Sequence, residues 1–413
     1  MKRRDFLKVA GAASLVGCAT PTPSKARVVV IGGGYGGATA AKYIRLWDPS
    51  IDVVLVERDA GFVSCPISNL VLAGYSSMDE ISRGYDGLRR HGVTVVRDEV
   101  TALDASRKSV KLASGADINY ERLIVSPGVD FTFSDVQGYE SAMQAGAVLH
   151  AWKAGPQTVA LRRQLEQMSD GGVYILSVPM APYRCPPGPY ERASMVAAYF
   201  KQAKPRSKVL VLDANPDVTS KGPLFKRAWT DLYPGILEFR GNAKVIGVER
   251  GAVRTDFETI RGDVLNVVPP HRAGDIAMKS GLITTNNRWC DVDWRTMESK
   301  AVKGVHVIGD ATLSASGMPK SGSMANNHAK IAAAAVVELL NGRAPQPMKI
   351  INTCYSFVSQ KEAIRVSSVH EWDAAQGTLL PVKGSGGVSA ARSEAEGTYA
   401  WNWARTIWAD SLA

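Results

Sequence analysis

The chain has 413 residues, of which 45% are hydrophobic and 21% charged, and a formal net charge of +10. That length exceeds one ordinary domain and calls for two or three modules around a large core. The basic residues are scattered rather than gathered into a stripe, which argues against a nucleic-acid partner, and no apolar run beyond the N-terminus is long enough to span a bilayer.

Lys2-Arg3-Arg4-Asp5-Phe6-Leu7-Lys8, followed by a small, weakly apolar stretch over residues 9–17, reads as a twin-arginine export signal ending at residue 17. It predicts a periplasmic protein that is exported already folded. Leu15-Val16-Gly17-Cys18 also fits a lipobox, in which Cys18 becomes the lipidated first residue and attaches the chain to a membrane; ordinary cleavage nearby is the alternative. Lys2, Arg3, Arg4 and Lys8 against Asp5 account for +3 of the charge, so the exported part carries +7. A surface of that sign suits an acidic partner. Residues 18–26 read as a polar linker.

Arg27-Val28-Val29-Val30-Ile31 predicts a buried strand, Gly32-Gly33-Gly34-Tyr35-Gly36-Gly37 turns into an Ala-rich helix reaching Ile44, and a second strand over 52–56 ends at Glu57. Gly32, Gly34 and Gly37 therefore stand in the context that a dinucleotide fingerprint requires. The first permits the turn, the second lets a pyrophosphate approach the backbone, and the third allows close helix–strand packing. Glu57 is placed to accept hydrogen bonds from adenosine ribose hydroxyls. Further strands are predicted at 93–96, 123–125, 173–178, 208–212, 264–268 and 305–308, with helices over 157–168 and 325–340. The tail after Pro345 is expected to be less regular, with a Gly/Ser-rich loop over 383–388. It ends in a helix bearing Trp401, Trp403 and Trp408, for which core or partner packing is the favoured role.

Leu123-Ile124-Val125-Ser126-Pro127-Gly128 resembles the strand and turn that close over FAD in two-dinucleotide-domain flavoproteins. Val305-His306-Val307-Ile308-Gly309-Asp310-Ala311 resembles their distal motif, whose Asp bonds the ribityl chain. Gly128, Gly309 and Asp310 thus join Gly32, Gly34, Gly37 and Glu57 as expected FAD contacts. Relatives that use NAD(P)H carry a second glycine-rich loop after the first strand of the middle domain. Here that strand runs into Pro179-Met180-Ala181-Pro182-Tyr183-Arg184-Cys185-Pro186-Pro187-Gly188-Pro189. Prolines offer no amide hydrogens and fix φ, so this loop is not expected to cradle a pyrophosphate.

Of five cysteines, Cys18 belongs to the export signal, and Cys65, Cys185, Cys290 and Cys354 remain. No Cys-x-x-Cys pair or Cys-x-x-Cys-His is present, so structural zinc and covalently bound haem are not expected on this chain. Cys65 lies alone where related reductases place a dithiol. It is either a small buried hydrophobe or a thioether to the flavin ring. Cys185 and Cys354 stand in unusual loops far apart. Paired, they would be either a disulfide open to thiol–disulfide exchange or a structural staple. Cys290 reads as buried and inert, and His306 as a packed core imidazole.

Arg184-Cys185-Pro186-Pro187-Gly188-Pro189-Tyr190-Glu191-Arg192-Ala193-Ser194, Asn352-Thr353-Cys354-Tyr355-Ser356, Met318-Pro319-Lys320-Ser321 and Arg89-x-His91-Gly92 together resemble the flavoprotein subunits of flavocytochrome c sulfide dehydrogenases. The resemblance implies an α/β, two-dinucleotide-binding-domain flavoprotein of the glutathione-reductase-like, sulfide dehydrogenase type with a C-terminal interface region. Its divisions would be 27–139 and 266–345 for FAD, 140–265 for a second Rossmann-like domain lacking an NAD(P) site, and 346–413 for the interface. It further implies FAD joined covalently to Cys65, a redox-active Cys185–Cys354 disulfide, Glu191 as a nearby proton-handling acid, and Lys320 near the flavin. Pro66 follows Cys65 where some members carry Tyr. Sulfide would be oxidised to sulfur or polysulfide, and electrons would pass to haem on a separate c-type cytochrome subunit. A sulfide:quinone oxidoreductase and an FAD electron-transfer subunit without sulfide turnover are the alternatives.

Overall fold

The computed structural model describes residues 25–413; the twin-arginine segment and Cys18 lie outside the described residues. The Ala26–Ile31 strand is buried on both faces, with Val28, Val29 and Val30 fully inaccessible. Such a strand belongs in the middle of a parallel sheet covered on both sides. It pairs in parallel with Ile51–Glu57 on one side and Arg122–Val125 on the other. Val93–Arg97 and Val305–Val307 extend the sheet in parallel, and short antiparallel strands at Glu298–Ser299 and Val292–Asp293 finish one edge. The Tyr35–Trp47 helix packs on this sheet and against the Ala-rich Gly322–Leu340 helix, whose small side chains permit close approach.

The second sheet is also parallel, in the order Leu237–Arg240, Lys208–Asp213, Val173–Val178, Val264–Val267. Helices Pro156–Gln167, Gly188–Ala203 and Gly222–Leu232 accompany it, each with a proline at its first or second position. Proline there costs nothing, because the N–H it lacks has no partner within the helix. The first two parallel sheets match the two-dinucleotide-domain expectation.

The tail departs from the sequence reading. Instead of irregular chain, residues 350–388 form an antiparallel sheet of Ile350–Phe357, Ala363–Asp373 and Thr378–Pro381, with Gly387–Val388 paired to the longest strand. Most residues of that longest strand are half-buried, so its sequence lacks the polar–apolar alternation that would have marked it. The closing helix, Glu394–Leu412, begins with Ser393 accepting from the Glu396 amide and buries Trp408. Trp401 and Trp403 are partly buried against the core. Among the described residues no helix is long and apolar enough to cross a membrane.

Candidate functional site

A cleft of about 550 Å3 opens at the carboxyl ends of the strands of the first sheet, where open α/β sheets place their ligands. Gly32, Glu57, Ser126 and Gly309 each follow or end one of these strands and line it. Gly32 takes φ +93°, and a Cβ there would stand 2.4 Å from the Ser126 carbonyl oxygen. Gly37 is tighter still, its absent Cβ only 1.8 Å from the Gly32 carbonyl oxygen. The glycines thus let the helix start against the strand end. Gly34 caps that helix without a side-chain partner and no acid occupies its first turn, so its amide donors and dipole remain available to an anion at the cleft wall.

Glu57 is held in place by the amides of Gly33 and Asp59, at 2.5 and 2.8 Å. Gly128 and Asp310 also line the cleft. Asp310 Oδ1 is buried without a hydrogen-bond partner, and burial raises this carboxyl above its ordinary range against the opposing charges of Arg184 and Lys320. An unsatisfied acceptor in a deep cleft is the feature that a ligand hydroxyl would complete. Helix terminus, ribose acid and buried acceptor fit the pyrophosphate, adenosine and ribityl parts of FAD.

Three cysteines meet this cleft from different parts of the chain. Cys65 follows the short Phe62–Val63 strand and receives hydrogen bonds at its sulfur from the Ala154 amide and Arg184 Nη2, both at 3.5 Å. Cys185 lies in the proline loop with φ +58°, its amide donating to the Lys320 carbonyl at 2.8 Å. Cys354 sits in the Ile350–Phe357 strand. Both are free thiols that line the same cleft, near enough for each to be the main influence on the other's ionisation. That influence lowers Cys354 to about 7, with further help from the Lys221 charge, and raises Cys185 well above the ordinary thiol range, with burial adding to the rise. The pair is therefore unequal. Cys290 is fully buried, its thiol pushed up to about 12 by that burial, and His306 is a buried core imidazole bonded to the Thr296 carbonyl.

Glu191 stands on the Gly188–Ala203 helix and lines the same cleft. Its carboxylate accepts from Asn69 Nδ2 at 2.7 Å and from the Phe357 amide at 2.8 Å. Burial raises its pKa in spite of these bonds. Lys320 is placed differently from a flavin-facing cation. It is not among the cleft-lining residues, and its ammonium lies 3.7 Å from the Trp289 ring centre and donates to the carbonyls of Asp310 and Thr312. Burial lowers it to about 7. What Lys320 offers the cysteine loop is its backbone carbonyl.

At the end of the Lys208–Asp213 strand, where a second dinucleotide domain would present a ribose acid, the Asp213 carboxylate is fully buried. It is taken up by Tyr190 Oη at 2.7 Å and by the Asn215 amide and side chain. Asn215 also ties the proline loop through Pro179 and Ala181.

Sequence reasoning missed several side chains here. Arg184 adjoins Cys185 in a recognised motif, yet its link to the Cys65 sulfur and the Trp152 carbonyl is visible only in space. Asn69, Trp152 and Lys221 belong to no motif and gave no signal.

The family models divide the chain. Residues 26–164 match pyridine nucleotide-disulphide oxidoreductase, 158–269 the central part of the sulfide dehydrogenase [flavocytochrome c] flavoprotein chain, and 346–412 the flavin-binding part of flavocytochrome c sulphide dehydrogenase. The sulfide dehydrogenase [flavocytochrome c] flavoprotein chain of Chlorobaculum thiosulfatiphilum is 64% identical over 45 residues, 11% of this chain and 94% of that sequence. This chain belongs to that family. The mitochondrial sulfide:quinone oxidoreductase of mouse is 26% identical over 309 residues, 69% of this chain but 65% of the mouse protein, less than two thirds of its length. Among solved structures, the sulfide:quinone oxidoreductase of Aquifex aeolicus superposes with a TM-score of 0.75 at 16% identity, covering 93% of this chain and 91% of the other. A putidaredoxin reductase, in its covalent complex with putidaredoxin, gives 0.68 at 17% identity, covering 92% and 93%. Both establish the fold.

Proposed function

We propose that this chain is the flavoprotein subunit of a periplasmic sulfide dehydrogenase. It oxidises sulfide to sulfur or polysulfide at the Cys185–Cys354 pair, and electrons leave by way of FAD to haem on a separate c-type cytochrome. The observation that carries this reading is the meeting of Cys185 and Cys354 at one cleft that Cys65 also lines. Export by the twin-arginine segment places the pair where disulfides persist, and lipidation at Cys18 would add a membrane attachment.

In the oxidised protein the two sulfurs are joined. Hydrosulfide attacks Cys185 Sγ, forming a new S–S bond, while the bond to Cys354 breaks and its electron pair stays on Cys354 as thiolate. The Lys221 charge near Cys354 favours it as the sulfur that leaves as thiolate. Glu191, a carboxyl whose proton affinity burial raises, takes up the proton released from the sulfur species. A second hydrosulfide takes the outer sulfur of the Cys185 persulfide, breaking that S–S bond, so that a hydrodisulfide leaves and Cys185 returns to thiolate. Closing the pair again then requires loss of two electrons, and FAD, when bound, would supply a two-electron acceptor that can pass them on singly. Cys65 would hold the flavin by a thioether, with Arg184 beside its sulfur.

The match to the mouse sulfide:quinone oxidoreductase supports quinone as a second reading of the acceptor. Comparing sulfide-dependent reduction of cytochrome c with that of a soluble quinone separates the two. Anaerobic sulfide titration followed by flavin absorbance tests the main reading. The parent protein bleaches and Cys354→Ser does not; normal bleaching in C354S contradicts it. A parent that dithionite bleaches and sulfide does not is an electron-transfer subunit instead.

A further inference from the structure

Lys221 is 6% exposed and stands just before the Gly222–Leu232 helix with φ +56°. This left-handed conformation is one that glycine or asparagine adopts at less cost. Its Nζ donates to Ser356 Oγ at 2.8 Å and to the carbonyls of Cys354 and Ile364 at 3.3 and 3.4 Å. All three acceptors are neutral. Among the described residues no carboxylate lies within ion-pairing distance of this ammonium. A buried cation without a carboxylate partner is costly unless another anion compensates it.

We propose that Lys221 is the fixed counter-charge of Cys354, and that it decides which sulfur of the Cys185–Cys354 pair leaves when a nucleophile attacks. The proposal rests on the sulfide-oxidising reading above and adds its polarity. Attack on Cys185 forms the new S–S bond there and returns the electron pair of the broken bond to Cys354, beside the ammonium. Attack on Cys354 would instead leave the charge on Cys185. A thiol of lower pKa leaves faster, so the first direction wins. The charged groups facing the pair are Glu191 from the Gly188–Ala203 helix and Arg184 from the proline loop; Glu396 of the last helix acts on Lys221. Glu191 opposes a thiolate at either sulfur, Arg184 favours one at Cys185, and Lys221 favours one at Cys354. Lys221 acts through Cys354 and is a positioning residue.

The test uses the full protein with its flavin, reduced and alkylated with iodoacetamide across the pH range, with peptide mapping of each cysteine. In the parent, Cys354 is alkylated ahead of Cys185 at neutral pH; the reverse order overturns the proposal whether or not any variant folds. In Lys221→Met the Cys354 rate at neutral pH falls about fivefold and its midpoint rises by about one unit, whereas Lys221→Arg keeps both near the parent values. An unmoved midpoint in K221M, or an equal shift in K221R, overturns it. Failure of the sulfide reading looks different. The alkylation order and its Lys221 dependence would stand while sulfide failed to bleach the parent.

Discussion

Gly37 illustrates how single positions hold the cleft open. A Cβ there would meet the Gly32 carbonyl oxygen at 1.8 Å and the fully buried Val30 side chain at 3.2 Å, and the nearer atom, being backbone, cannot swing aside. Gly37→Ala should therefore cost about 1–3 kcal/mol and weaken flavin retention, as read by a urea melt and by the absorbance of the purified protein. Unchanged stability and full flavin content would contradict the packing account. Lys320 carries a pH prediction. Burial holds it near 7 in the folded protein against 10.5 as the ordinary value. Between those values the unfolded chain keeps a proton that the folded chain has released, so this site makes stability rise with pH across that window. Thermal melts at about pH 6.5 and about pH 9 should show the parent gaining Tm relative to Lys320→Met; parallel profiles would contradict the assignment.

At the scale of elements, the last helix is fastened by one carboxylate. Asp410 accepts from Tyr43 Oη at 2.6 Å, Asn326 Nδ2 at 2.7 Å and Lys330 Nζ at 2.9 Å, joining the closing helix to the first helix and to the Gly322–Leu340 helix. Trp408 then reaches Tyr35 at the cleft wall through its indole nitrogen, at 3.0 Å. Asp410→Ala takes the carboxylate from Tyr43 and Lys330 and leaves Asn326 only its bonds to Thr39 and Ser411, and should cost about 1–3 kcal/mol. Faster amide exchange confined to residues 394–412 is the expected sign, and unaltered exchange there would contradict it. Elements were legible where a pattern was complete. The unbroken Val28–Val30 run and the glycines after it announced the first strand and its turn. The Gly188–Ala203 helix was hidden because five prolines from Pro179 to Pro189 suggested only a loop, although Pro189 falls where a helix tolerates it. The Ala363–Asp373 strand was hidden because half-buried positions carry no clear alternation.

For the whole molecule, what could not be read along the chain was proximity. Cys65, Cys185 and Cys354 were each visible as unusual residues, and the family resemblance joined the last two, but Lys221, Asn69 and Trp152 entered the site through long-range folding alone. Lys221 sits in a short polar stretch with no motif, and only the antiparallel sheet that was not foreseen brings Cys354 and Ser356 to its ammonium. The site thus depends on three bodies of structure: the first parallel sheet for the cofactor cradle, the proline loop of the second for Cys185, and the C-terminal sheet for Cys354. The most direct test of that convergence is a peptide map of the air-oxidised protein without reductant. A single cross-linked species joining the Cys185 and Cys354 peptides, with Cys290 still free, is the predicted result. Both cysteines recovered as free thiols after oxidation, or either one linked elsewhere, would contradict it.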